Sequence, residues 1–413
     1  MTLTETAPPA APPTSRLLSG ASTLAAHDSR HGPAPRLPHP RALEPVLRDA
    51  GLLGHGGAAF PAWRKLAAVA KDRRGAVVVG NAAEGEPASR KDRVLLETAP
   101  HLVLDGLALV AAATRASDAY LYVAPDALPA AIRAVRERES ARRDPVRVSV
   151  VEAPDLFVAG EESAVVSRLS GGPALPRDKW TMTVESGVHG RPTVVHNVET
   201  LAHIALVARH GPGWFRAVGT ADDPGTFLST VSGAVAAPGV HEAAYGVTLG
   251  ELVARSGGGT GPLQAVLVGG YHGAWLPWPD AAGLPMTRAA LRPYGAAPGA
   301  GVVVALASGA CGVVSTARLV DYLAGQSAAQ CGPCMFGLPR MATVLRALAH
   351  APHAPVPPST AAEVERLAGV VDGRGACKHP DGTVRLVRSA VSTFRADVQA
   401  HLAGRCLHER GAR

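Results

Sequence analysis

Four stretches of this chain carry residue types whose spacing could do chemistry. Gly51, Gly54, Gly56 and Gly57 crowd into a turn that runs to Pro61, a residue suited to the first turn of a helix, and on to Lys65. Such a turn lets backbone N–H groups close on an anion, and the helix behind it adds the positive end of its dipole, so a phosphate fits there. A plain reverse turn before a helix uses the same residues, so this run alone decides nothing. Glu84 and Glu86 straddle Gly85 in the second stretch, Asn81 to Arg93, with Pro87 fixing the exit. In the third, Gly160-Glu161-Glu162 opens a helix, where the dipole alone already favours acidic residues. The fourth is Cys331-Gly-Pro-Cys334, joined from a distance by Cys377. Those are soft donors suited to iron–sulfur or zinc.

These stretches need elements to hold them. Ala76 to Gly80 reads as a buried strand, followed by a helix over His101 to Ala116, a strand over Ala119 to Val123, a helix over Ala127 to Glu139 and a strand over Val146 to Glu152. That alternation is an α/β layer fold, in which strand tips carry sites. Residues 225–285 change to short β-rich runs around one helix, and their Pro-Gly and Gly-Gly pairs are turn signals. From Ser315 the chain reads as four helices, with PHAPVPP as a linker, so a four-helix bundle is expected.

Composition excludes several classes. The 413 residues leave room for two to four domains, and 47% hydrophobic residues supply real cores. A net charge of +7 favours anionic partners. No nucleic-acid motif accompanies it, which leaves phosphorylated cofactors and acidic electron carriers. Residues 1–40, rich in Pro, Ala, Ser and Thr, read as a disordered tail and not as a signal peptide. The apolar run from Gly299 to Val314 is broken by glycines and preceded by Pro298, so it does not read as a membrane span. Five cysteines, two in a CxxC, fit a reducing compartment. Cys311 reads as a small buried residue.

The order GxxGxGGAxFPxxxK, then N-x-x-E-G-E-P-x-x-x-K-D-R, resembles the flavin- and NADH-binding subunit of respiratory complex I. It is also similar to related subunits of bidirectional hydrogenases and NAD-dependent formate dehydrogenases. The resemblance continues through G-E-E, through Gly190 to Ala202 and into the cysteine segment, covering nearly the whole chain. It implies a flavin-binding α/β domain over 41–222, a ubiquitin-like SLBB α+β domain over 223–297, and a helical iron–sulfur domain over 298–413. It implies FMN, NADH and a 4Fe-4S cluster, with hydride passing from nicotinamide C4 to flavin N5 and electrons leaving singly.

The site residues that the resemblance implies are Gly54, Gly56, Gly57, Phe60, Lys65, Asn81, Glu84, Glu86, Gly160, Glu161, Glu162, Lys179, Asn197 and Thr200 for the cofactors. Glu86 and Glu161 are the catalytic pair near the nicotinamide, and Cys331, Cys334 and Cys377 hold the cluster. The implied partner is an electron-accepting iron–sulfur or ferredoxin-like subunit. A cytoplasmic location follows, with membrane contact only through partners on the inner face.

Departures from the family pattern bear on this reading. Ala83 replaces an acidic residue, Met182 an aromatic one, His196 an asparagine, and Ala328 stands where the first cluster cysteine belongs. His379 and Cys406 are the spare donors, but about twenty helical residues would carry Cys406 about 30 Å away. The competing reading is a scaffold subunit of the same fold in which Cys331, Cys334, Cys377 and His379 hold structural zinc.

Overall fold

The computed structural model describes residues 15–69, 75–177 and 181–408. Lys179 lies outside them, so its expected contact with a dinucleotide has no structural counterpart here.

The first unit opens with α1 (Leu24–His31), α2 (Leu43–Ala50) and α3 (Ala62–Val69). It continues through β1 (Val77–Ala82), α4 (Lys91–Thr98), α5 (Pro100–Thr114), β2 (Asp118–Val123), α6 (Leu128–Ser140), β3 (Val148–Glu152) and α7 (Glu162–Leu169). It closes with β4 (Thr193–Asn197) and α8 (Val198–Arg216). The sheet is wholly parallel, in the order β3-β2-β1-β4. The run Val77-Val78-Val79 forms its centre because both faces are covered: Val78 packs with Leu95, Leu107 and Leu201, whereas Val77 and Val79 pack with Tyr122 and Val165. From β1 the chain runs outward to β2 and β3, then returns to place β4 on the other flank. The crevice between the C-terminal ends of β1 and β4, where Asn81 pairs in register with Asn197, is therefore the topological switch point.

The expectation of a disordered tail over 1–40 is overturned for residues 15–40. Leu17 is fully buried and its backbone N–H donates to Glu242 at 2.9 Å. His27 on α1 is also fully buried, with Nε2 at 2.9 Å from Asp105 Oδ2. Asp105 in turn accepts from Arg138 at 2.8 Å and from Arg209. A segment poor in apolar residues is thus held through a buried ionic network, which hydropathy does not register.

The second unit comprises β5 (Thr226–Gly233), β6 (Gly239–Ala244), α9 (Leu249–Arg255), β7 (Leu263–Val268), β8 (Ala274–Pro277), the single turns α10 (Trp278–Ala281) and α11 (Arg288–Leu291), and β9 (Val302–Ala307). Its sheet runs β6-β5-β9-β7-β8, with β9 parallel to β5 and antiparallel to β7. Because β9 lies at the centre of this sheet, a boundary at 297/298 cuts through the unit, and the structural break falls after Ala307. The pleat sorts β7 between two cores. Val266 and Val268 face the unit's own interior, while Ala265 and Leu267 join Trp275 under the helices that follow.

Those helices are α12 (Gly312–Gly325), α13 (Leu338–His350), α14 (Thr360–Val371), α15 (His379–Thr393) and α16 (Arg395–Leu402). Where four helices were expected there are five, since the last divides at Phe394, whose ring packs edge-on against Trp275 with centroids 5.3 Å apart. Among the described residues no single helix is long and apolar enough to cross a membrane. The pair α4 and α5 passes on composition but bends by 97°, and α5 is buried along most of its length.

Candidate functional site

A cavity of about 680 Å³ opens at the switch point. Its walls come from the glycine loop, the tip of β1, the start of α7 and the start of α8, with Cys377 and His379 of the helical unit on the far side. Three of the four motif regions therefore meet in one crevice, and the fourth reaches it through Cys377.

Two loops interlock to shape it. An added Cβ on Gly160 would stand 2.5 Å from the Ala83 carbonyl, and one on Gly85 would stand 2.5 Å from the Phe157 carbonyl. Only glycine permits this mutual approach. Asn81 ties the same loops, donating to the Gly160 carbonyl at 2.9 Å and accepting from Ala83 N–H at 3.1 Å. Thr200 is fully buried and accepts the His55 N–H at 2.9 Å, which docks the glycine loop onto α8. Gly57 holds a left-handed φ of 97° at the loop's apex.

The carboxylates divide by task. Glu84 accepts Ser89 Oγ at 2.5 Å and the N–H groups of Asp92 and Arg93 at 3.1 and 3.2 Å, so it caps the start of α4. Glu161 is the N-cap of α7, accepting from Ser163 N–H at 2.8 Å and Ala164 N–H at 3.2 Å, and it also lines the cavity. Glu162 takes Lys65 Nζ at 2.8 Å, and Lys65 also reaches the Val195 carbonyl at 2.8 Å. Glu86 accepts Tyr271 N–H at 2.7 Å and Ala88 N–H at 3.1 Å. Burial pushes Glu86 up to about 7 against the pull of those two amides. Burial, then the charge of Asp92, does the same to Glu84. Phe60 is 38% exposed at the rim.

Sequence reasoning missed the network beneath these groups. Lys91 Nζ is buried and lies 2.6 Å from Asp92, 2.9 Å from Glu199 and 3.1 Å from Asn197 Oδ1. Burial alone would discharge it, but Asp92 and Glu199 outweigh that and hold it charged. Asn197 caps α8 by accepting Glu199 N–H at 3.0 Å and donates to Asp92 at 2.6 Å. The K-D-R of the second motif was the signal for this network. His196, which replaces an asparagine, is 4% exposed and lines the cavity, and its Nε2 has no hydrogen-bond partner among the described residues. A backbone cradle, a lysine at its edge and an orphaned polar nitrogen fit a phosphorylated flavin.

Cys331-Gly-Pro-Cys334 sits where the chain enters α13 through a π-helical turn, Pro333–Gly337. Such turns are frequent at functional sites. The Cys334 thiol is pushed up to about 12 by burial, then by the neighbouring sulfurs of Cys331 and Cys377. A bound cluster would reverse that shift, because a metal takes the thiolate outright. His379 is no fourth ligand: Nδ1 lies 3.1 Å from His272 Nε2, and Nε2 lies 2.8 Å from the Leu323 carbonyl. Cys406 sits elsewhere, with Cys311 and His401. The residue that sequence reasoning overlooked is Ser327, whose side chain hydrogen-bonds Cys334 beside the alanine that replaces the missing cysteine.

A crevice that shares a wall with Cys377, one of the three cysteines the resemblance assigns to a cluster, is consistent with an oxidoreductase subunit pairing a flavin with an iron–sulfur centre. Residues 47–206 match the Nuo51 FMN-binding domain, and residues 315–401 match the NADH-ubiquinone oxidoreductase-F iron-sulfur binding region. The NADH-quinone oxidoreductase F 2 subunit of Rhizobium meliloti is 30% identical over 386 residues, covering 89% of this chain and 90% of that protein. The NADH-quinone oxidoreductase F subunit of Salmonella typhimurium is 31% identical, covering 87% and 84%. Among solved structures, an NAD+-reducing [NiFe]-hydrogenase in the air-oxidized state superposes with a TM-score of 0.81 at 32% identity over 88% of this chain. The H2-reduced state gives 0.80 at 30% identity over 95%. This chain spans 63% and 66% of those hydrogenase chains. The chain belongs to the family of NADH-quinone oxidoreductase F subunits. It is an FMN- and iron–sulfur-dependent oxidoreductase that passes electrons from NADH through FMN to a 4Fe-4S cluster.

Proposed function

We propose that the switch-point cavity holds FMN with its phosphate against the Gly54, Gly56 and Gly57 amides and Lys65, and admits NADH past Phe60. In this reading Glu86, Glu161 and Glu162 face the reacting rings. Asn81, Glu84, Gly160, Asn197 and Thr200 act by holding the loops in place. When bound, the flavin supplies hydride acceptance and one-electron release, and the protein supplies position and electrostatics. The observation that carries this reading is the presence of Cys377 in the wall of the same cavity as the glycine loop, which leaves a short route between flavin and cluster.

The ligands Cys331, Cys334 and Cys377 belong to the same proposal, with the Ser327 hydroxyl nearest to the fourth corner. The five-stranded unit corresponds to the SLBB domain and the five helices to the iron–sulfur bundle. An iron–sulfur partner protein docks beside Cys334, where Met335 and Phe336 are 51% and 70% exposed. The location is cytoplasmic, with any membrane contact made through partners.

Anaerobic reduction with NADH tests the arrangement. Flavin bleaching together with a cluster EPR signal is the expected result, and flavin bleaching with no iron signal refutes the electron route. Replacing Phe336 with Asp should leave flavin reduction intact and slow transfer to the partner.

A further inference from the structure

A second group of metal-ligating side chains lies outside this site. Cys311, His401 and Cys406 bring one donor atom each to within 4.8 Å of the others, and Cys311 Sγ stands 3.3 Å from His401 Nε2. Cys311 is the N-cap of α12, and the cluster loop follows the other end of that helix. Its 14 residues separate the two groups by about 20 Å. The thiols here belong to a different place from Cys331 and Cys334.

Two observations make this a prepared site and not a chance cluster. His401 is 1% exposed, and its Nδ1 lies 2.9 Å from the Leu348 carbonyl. That carbonyl can only accept, so Nδ1 carries the proton and Nε2 turns a lone pair toward the two sulfurs, as a metal-ligating histidine is ordinarily fixed by its outer partner. Asp397 lies one turn before His401 on the same face of α16. It is 5% exposed, with Oδ1 at 2.9 Å from His408 Nε2 and Oδ2 without a hydrogen-bond partner among the described residues. That carboxylate stands outside the group of donors within 4.8 Å of one another, and it adds negative charge near Cys311 that would favour a cation there.

We propose that Cys311, His401 and Cys406, with a water in the fourth position, bind one zinc-class ion that ties the chain after α16 to the start of α12. A tetrahedral ion with about 2.3 Å to sulfur and about 2.0 Å to nitrogen sets donor atoms about 3.5–3.8 Å apart, so the spacing of these three donors needs little adjustment. Both thiols lose their protons on binding. The sequence hid the site because its donors are scattered over 95 positions, with no CxxC or HxxxH among them.

Elemental analysis of full-length protein, purified anaerobically with its flavin and cluster and incubated with equimolar zinc sulfate, tests the proposal. One zinc per chain is expected beside the iron and sulfide. Cys311→Ser/Cys406→Ser should lose the zinc while keeping iron, sulfide and flavin. His401→Gln, a smaller change, should weaken zinc retention against a chelator by about 10- to 100-fold. Cobalt in place of zinc should give thiolate charge-transfer bands that vanish in the double variant. Zinc that persists in the double variant resides at the other cysteines and overturns the proposal. So does a protein that takes up no zinc, or one whose intact mass shows Cys311 and Cys406 joined as a disulfide.

Discussion

Glu86 Oε2 accepts the backbone N–H of Tyr271 at 2.7 Å, and this hydrogen bond links the β1 loop of the flavin unit to the β7–β8 turn of the second sheet. A carboxylate expected to face substrate is thus also the joint between two units. Burial holds it near 7, above an ordinary glutamate. Between about pH 4.5 and 7 the folded state therefore binds more protons at this site than the unfolded chain, and stability falls as pH rises through that window. Glu86→Gln should flatten the slope, by up to about 3 kcal/mol between the ends of the window. Urea midpoints of the flavin-free protein at pH 5 and pH 8 measure it. An unchanged slope in the variant assigns the effect to another group.

The same ionisation should govern any preference for NADH over NADPH, because an extra phosphate is repelled only by charged carboxylates. Rates of flavin bleaching with NADPH relative to NADH should fall as pH rises from 6 to 8, on the order of tenfold for one added charge in a partly buried crevice. Glu86→Gln should remove much of that dependence. A pH-independent ratio in the wild type contradicts this account.

Gly57 has a φ of 97°, which a β-branched residue does not tolerate. Gly57→Val should deform the phosphate cradle and yield protein with little bound flavin, read from the absorbance ratio after purification. Flavin content equal to wild type would show that the loop is not the cradle.

Ser327 hydrogen-bonds Cys334 at the corner left by Ala328. Ser327→Cys should slow cluster loss in air, and Ser327→Ala should hasten it, both followed by the decay of iron–sulfur absorbance. Cys406→Ser should leave that decay unchanged, since Cys406 lies with Cys311 and His401. Equal decay in all three variants would exclude Ser327 from the site.

Asp105 is fully buried and faces His27, Arg138 and Arg209. Asp105→Ala strands buried cations and should cost about 3–5 kcal/mol, measured by chemical denaturation. A loss below about 1 kcal/mol would mean that water reaches the network.

The α/β layer, the glycine loop and the G-E-E helix start were legible in the amino-acid order, and so was the CxxC with a distant third cysteine. Each rests on local rules: period, glycine content, or a short motif. Val77 to Val79 had to be a strand covered on both faces, and Cys331-Gly-Pro-Cys334 had to present two thiols on one turn. Other properties depended on residues far apart in the chain and emerged with folding alone. Residues 15–40 looked disordered because their anchors are His27 and Leu17, which need Asp105 and Glu242 from distant elements. β9 looked like the start of the helical unit, but its hydrogen bonds go to β5 and β7. Glu84 looked like a ligand and spends its oxygens on the start of α4. His379 looked like a metal donor, yet both its nitrogens are engaged elsewhere, and Cys311 looked inert until α16 brought His401 to within 3.3 Å. A side chain's type limits what it can bind, and only folding determines which partner reaches it first.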